Sequence, residues 1–100
     1  METINLLLVD DHAVVRSGLR MLIETCPEMH IVGEADTGKQ AILKARQLKP
    51  DVIVMDITLP DISGIEATRT IHVLDPNIAI VALTIHEDEQ YFFEMLAAGA

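Results

Sequence analysis

Four short apolar runs, each leading into a stretch with helical spacing, leave this chain few folds to choose from. The clearest is Val52-Ile53-Val54-Met55, which is rich in β-branched residues and stops at Asp56. An uninterrupted apolar run of that length reads as a strand buried on both faces. Asp56 then sits at the carboxyl end of the strand, and the loop Ile57–Ser63, marked by Pro60 and closed by Gly64, follows it. Open α/β sheets keep their chemistry in loops of this kind.

The other strands are Ile4–Val9, Ile31–Ala35 and Ile78–Thr84. Gly33 and Glu34 make the second the least apolar, which suits a sheet edge. Between the strands the spacing predicts helices. In His12–Thr25, Val15, Leu19, Leu22 and Ile23 share one face, and Arg16, Arg20 and Glu24 share the other. In Lys39–Leu48, Ala41, Ala45 and Leu48 face inward. Ser63-Gly64-Ile65-Glu66 fits a capping box, opening a helix to Leu74 that turns Ile65, Thr68 and Ile71 to the core. A fourth helix is expected over Glu89–Ala98, with Gly99 as its C′ residue.

A β-α order repeated in this way implies right-handed crossovers and a parallel sheet with helices on both faces. A parallel sheet gathers its strand carboxyl ends on one edge. Asp10, Asp11, Asp56 and Thr84 all fall there.

Composition narrows the function. One hundred residues make a single small domain. A net charge of −9 argues against this segment gripping nucleic acid or an anionic membrane, and suits cations or basic partners. Cys26 has no second cysteine to pair with, so a reducing, cytoplasmic setting is expected. Met1-Glu2-Thr3 is not a basic leader region, and no apolar segment reaches membrane-spanning length.

Clustered carboxylates repel one another, and a divalent cation relieves that penalty. Oxygen donors without paired His or Cys favour Mg²⁺ or Mn²⁺ over zinc. A carboxylate beside such an ion can attack phosphorus and form an aspartyl phosphate. An Asp-Asp pair after a strand is more often a helix cap and a solvated charge; it is the joint occurrence with Asp56 and Thr84 that points to a site. His12 reads as a helix-start residue serving orientation or capping, rather than as a ligand. Tyr91, Phe92 and Phe93 are adjacent and cannot all face the core, so at least one is expected at the surface.

These residues resemble the receiver domain of two-component response regulators, the CheY-like family. The resemblance spans the whole chain. It rests on Asp10-Asp11, Asp56, the Leu59-Pro60…Gly64 loop, Thr84 and Ala97-Ala98-Gly99-Ala100. Val9-Asp10-Asp11-His12 with Arg16 and Gly18-Leu19 is similar to the branch with a C-terminal LuxR/FixJ/NarL-type helix-turn-helix. The implied fold is flavodoxin-like with strand order 2-1-3-4(-5), an order that CheY itself illustrates. The implied function is not enzymatic: Asp56 accepts a phosphoryl group from a sensor histidine kinase. Asp11 ligates Mg²⁺ directly, and Asp10 does so directly or through water. The backbone carbonyl of Thr58 is a further ligand, and Thr84 contacts the phosphoryl group as a switch. Thr58 and His86 are expected to tune hydrolysis by water, and bulky Ile85 to narrow access.

Members of the family carry a Lys after a fifth strand, and this chain ends at Ala100. Lys39, Lys44 and Lys49, all on or beside the second helix, are wrongly placed to replace it. The expectation is a receiver domain over 1–100, incomplete at its C-terminus, whose DNA-binding domain lies outside the chain. The fourth strand then becomes an exposed edge, which predicts a homo-oligomer. The alternative function is a phosphorylation-independent interaction module. A dehalogenase-like hydrolase would need a second Asp two residues past its nucleophile, where this chain has Thr58. A flavin-binding protein would need a Ser/Thr/Gly-rich loop after the first strand, and none follows.

Overall fold

A computed structural model describes residues 3–56, 59, 61–83 and 99. The described elements run β1 (Ile4–Val9), α1 (Ala13–Glu24), β2 (Met29–Ala35), α2 (Gly38–Leu48), β3 (Val52–Asp56), α3 (Gly64–Leu74) and β4 (Ala79–Leu83). The strands form one four-stranded sheet, all parallel, in the order β2-β1-β3-β4. The order is the one the family resemblance implies, and β2 lies at the edge that its Gly33 and Glu34 suggest. The predicted Glu89–Ala98 helix, its aromatic trio and Thr84 lie outside the described residues.

Strand register sets the core. Leu7 pairs with Ile53 and Val9 with Met55, and Ile53 pairs with Ile80. Partners in a parallel ladder share a face, so these residues make one apolar surface. Ala41 and Ala45 of α2 and Ala67 and Ile71 of α3 complete that core. The small residues on the helices let them approach the sheet closely.

The opposite face departs from expectation. Leu6 and Leu8 are buried, but Val52 and Val54 are half-buried and Val81 is exposed. The third strand is therefore fully covered on one face only. Above this face lies α1, and none of its side chains is buried. Of the apolar stripe read from the helical spacing, Leu19 and Ile23 are half-buried, but Val15 is 39% exposed and Leu22 is 68% exposed. The reason is its neighbour: α1 packs chiefly on the edge strand β2, and there it meets a carboxylate. On α2, Ala41 and Ala45 are buried as predicted, but Leu48 is 41% exposed. It is the last residue of α2, and its Cδ1 lies over Gly33 at the sheet edge.

The helix ends follow local chemistry. Ser63 caps α3, its Oγ accepting from Glu66 N at 3.1 Å. Thr37 caps α2, with Oγ accepting from Gln40 N at 3.1 Å. Lys49 closes α2 in the left-handed region with φ 47°. At the amino edge of the sheet Asp51 joins three strands. Its carboxylate accepts from Asn5 N at 2.8 Å. Its N–H donates to Asn5 O at 2.8 Å, and its carbonyl accepts from Ala79 N at 3.0 Å.

Candidate functional site

Residues 54 and 56 have the same parity along β3, and Asp10 follows Leu8 by two. The ends of two adjacent strands therefore present their carboxylates together. Asp10 is 3% exposed and Asp56 is 7% exposed, while Asp11 stands more open. One ligand atom from each of Asp10, Asp11, His12 and Asp56 lies within 4.8 Å of the others. Asp10, Asp11 and Asp56, picked out from sequence, are thus brought together. Thr58 and Thr84, picked out with them, lie outside the described residues.

Two nearly buried carboxylates side by side call for positive charge. In this structure the His12 ring is the basic group turned towards them. Its Nδ1 is 2.8 Å from Asp10 Oδ1, 3.1 Å from Asp11 Oδ1 and 3.8 Å from Asp56 Oδ2. The hydrogen bond with Asp10 and then the charge of Asp11 raise the His12 pKa above its usual 6.5. Sequence reasoning placed His12 at the start of the helix, and there it stands, as the N-cap of α1. Its side chain makes no capping bond, however. The ring turns back to the aspartates, and Asp10 Oδ1 also accepts from His12 N at 2.7 Å. Hard carboxylate oxygens dominate the donor set, so the cluster could bind a metal ion.

Two features of the surroundings were not visible in the sequence. Arg16, on the face read as solvent-facing, donates from Nη1 to Asp10 O at 2.5 Å. In the loop after β3, Asp61 spans the start of α2. Gly38 N donates to Asp61 Oδ1 at 2.7 Å, and Lys39 N donates to Asp61 Oδ2 at 3.0 Å. With Gln40 N on Thr37 Oγ and Ala41 N on Thr37 O, the first four amides of α2 all have acceptors. Asp61 therefore ties its own part of the loop to a helix. The only available signal for Asp61 was an acidic residue in a loop, which is too common to single out.

The response regulator receiver domain family matches residues 6–100. The chain belongs to the response regulator receiver family. Response regulator GacA of Pseudomonas viridiflava is 42% identical over 97 residues, 97% of this chain and 45% of that protein. This receiver therefore spans about half the length of such relatives. Among solved structures it is similar to a two-component response regulator of the LuxR family from an Aurantimonas species. The identity is 41% and the TM-score 0.94, over 99% of this chain and 71% of that one. The response regulator domain of Thermotoga maritima CheB is 40% identical with a TM-score of 0.89, covering 99% of this chain and 75% of that one. The receiver fold, the strand order and the LuxR/NarL branch are those that the resemblance implies. Among the described residues, no helix is long and apolar enough to cross a membrane.

Proposed function

We propose that this receiver takes a phosphoryl group onto Asp56 from a phosphohistidine of a sensor kinase in the cytoplasm, and passes that signal to a DNA-binding domain beyond the chain. The observation that carries the reading is the meeting of buried Asp56 with Asp10 and Asp11 at the carboxyl edge of the sheet. In the transfer, a carboxylate oxygen of Asp56 forms the new O–P bond. The P–N bond of the phosphohistidine breaks, and the imidazole leaves with its electron pair. Asp10, Asp11 and Asp56 would hold Mg²⁺, with Mn²⁺ as a substitute and the Thr58 carbonyl as the further ligand that the family resemblance implies. When bound, the ion offsets the charge that builds on the transferring group. Asp56 is the nucleophile, and Asp10 and Asp11 bind and orient. His12 must turn its Nδ1 away for the three carboxylates to share a cation. Thr84 is assigned the phosphoryl contact and switch. A phosphoryl group adds close to two negative charges, enough to shift a two-state equilibrium. The module signals rather than turning over a separate substrate. A second copy would associate through β4, where Val81 is 53% exposed.

The test is the intact mass of the chain after incubation with acetyl phosphate and Mg²⁺, beside Asp56→Asn. An adduct of one phosphoryl group on wild type alone is expected. An unmodified wild type that still unfolds cooperatively would reject the reading and leave the phosphorylation-independent interaction module.

A further inference from the structure

Glu34 lies between half-buried Gly33 and buried Ala35 on the edge strand, and three cations converge on it. Arg20 Nη2 donates to Glu34 Oε2 at 2.5 Å. Arg16 Nε lies 3.4 Å from Glu34 Oε1, an ion-pair distance rather than a hydrogen bond, and both atoms are buried. Lys44 Nζ, from α2, donates to the Glu34 carbonyl. Arg16 and Arg20 are four residues apart and so occupy adjacent turns of one helical face. None of the α1 side chains is fully buried, and two of its arginines reach this carboxylate.

The other end of the Arg16 guanidinium reaches the acidic cluster. Its Nη1 donates to the backbone carbonyl of Asp10, a residue 3% exposed. A buried carbonyl needs a donor, and among the described residues the Arg16 guanidinium is the one that reaches it. Asp10 N is already committed to Ala35 O at 3.0 Å, and Asp10 Oδ1 to His12 N at 2.7 Å. The Asp10 carbonyl and the Asp11 amide share one rigid peptide plane. Whatever holds that carbonyl also sets the direction in which Asp11 leaves the sheet.

We infer that Glu34, acting through the Arg16 guanidinium, sets the orientation of the Asp10–Asp11 peptide, and that the two are positioning residues for the acidic cluster. The inference rests on the reading of that cluster as a cation site. Neither residue touches the cation or the phosphoryl group; both act through the main chain. Only a planar fork can serve the carboxylate and the carbonyl together, so lysine cannot substitute fully for Arg16.

The experiment measures Mn²⁺ and Mg²⁺ affinity by calorimetry for wild type, Arg16→Lys, Glu34→Gln and the double variant, after melting curves show each to be folded. Arg16→Lys keeps the charge, so any loss of affinity reports geometry. Outer-shell partners of metal ligands typically contribute 10–100-fold in affinity, and Arg16→Lys is expected to weaken binding about tenfold. Adding Glu34→Gln to Arg16→Lys should then change little, because the path is already cut. An Arg16→Lys affinity within twofold of wild type overturns the inference. So do additive losses, which are the mark of a long-range charge effect.

A second readout needs no cation. In metal-free protein, Glu34→Gln should shift the amide resonances of Asp10, Asp11 and His12. If wild type binds neither ion, the cation-site reading fails, and these amides decide the relay on their own. Unshifted amides sink it, and shifted amides sustain it.

Discussion

The β-carbon that Gly38 lacks would lie 2.2 Å from Cγ1 of Ile62. The first residue of α2 and the loop after Asp56 are thus packed closer than any side chain at position 38 allows. The Ile62 carbonyl stands 3.2 Å from the same point, so the loop backbone as well as a side chain is involved. Alanine would favour the helix by about 1 kcal/mol. Overpacking typically costs about 1–3 kcal/mol. Gly38→Ala is therefore expected to lower the urea midpoint despite its better helix propensity. An unchanged or higher midpoint would mean that the loop moves aside freely.

Asp61 should give the protein an acid limb. Desolvation pushes its carboxyl up, but the N–H groups of Gly38, Ile62 and Lys39 and its own more than compensate, leaving a pKa of about 2 against the usual 3.8. A carboxylate with a depressed folded pKa stabilises above its unfolded value, and that contribution fades as pH falls towards the folded one. The Asp61 contribution is therefore complete above roughly pH 4 and lost on the way down to about 2. Asp61→Asn, with one acceptor in place of two, should unfold more readily at neutral pH and depend less on pH within that window. Parallel acid dependence in the two proteins would remove Asp61 from the account.

His12 predicts the opposite slope. Its pKa is raised above 6.5, first by the hydrogen bond with Asp10 and then by the charge of Asp11, with the charges of Asp10 and Asp56 adding and desolvation opposing. The stabilisation is fully present below the unfolded value and disappears as pH climbs through the raised folded value. In chelator, the advantage of wild type over His12→Ala should shrink as pH rises from about 5 to about 8 and beyond, since histidine ordinarily titrates across that range and this one titrates higher. Urea midpoints across that range check it. An advantage that grows with pH would contradict the contacts of the ring.

Lys49 holds φ 47° and ψ 59°, the sole positive-φ non-glycine among the described residues. The left-handed region costs an L-residue roughly 1–2 kcal/mol, and glycine regains part of that while gaining unfolded entropy. Lys49→Gly is expected to stabilise by about 0.5–1 kcal/mol, read as a rise in the urea midpoint. A drop would mean that the lysine side chain supports the turn.

Much of the fold was legible because strands and helices write different periods into the chain. Val52–Asp56, Ala41 with Ala45, and Thr68 with Ile71 took the places that their spacing predicted. Asp10, Asp11 and Asp56 could be brought together on paper, because a parallel sheet collects its strand ends on one edge. Helix α1 was misread for a physical reason. A helical wheel sorts residues by polarity and assumes that the apolar side goes inward. Here the helix lies over an edge strand that offers Glu34, so Arg16 is half-buried along with Leu19 and Ile23, while Leu22 stays exposed. Glu34 could have been noticed as a charge between Gly33 and Ala35, with two arginines one turn apart on the preceding helix. Asp61 could not, since its partners Gly38 and Lys39 are more than twenty residues away and nothing local announces them.

The strictly parallel β-α order has an electrical meaning as well. Each helix runs back against its strand, so α1, α2 and α3 all begin on the edge where the aspartates gather. A helix start carries roughly half a positive charge, concentrated in its first turn. The chain as a whole is strongly acidic, yet its backbone lays down a positive background at that one edge. Chain direction thus becomes chemical direction. The edge that must tolerate three carboxylates, and by our reading a phosphoryl group as well, is the one that the peptide dipoles have already prepared for anions.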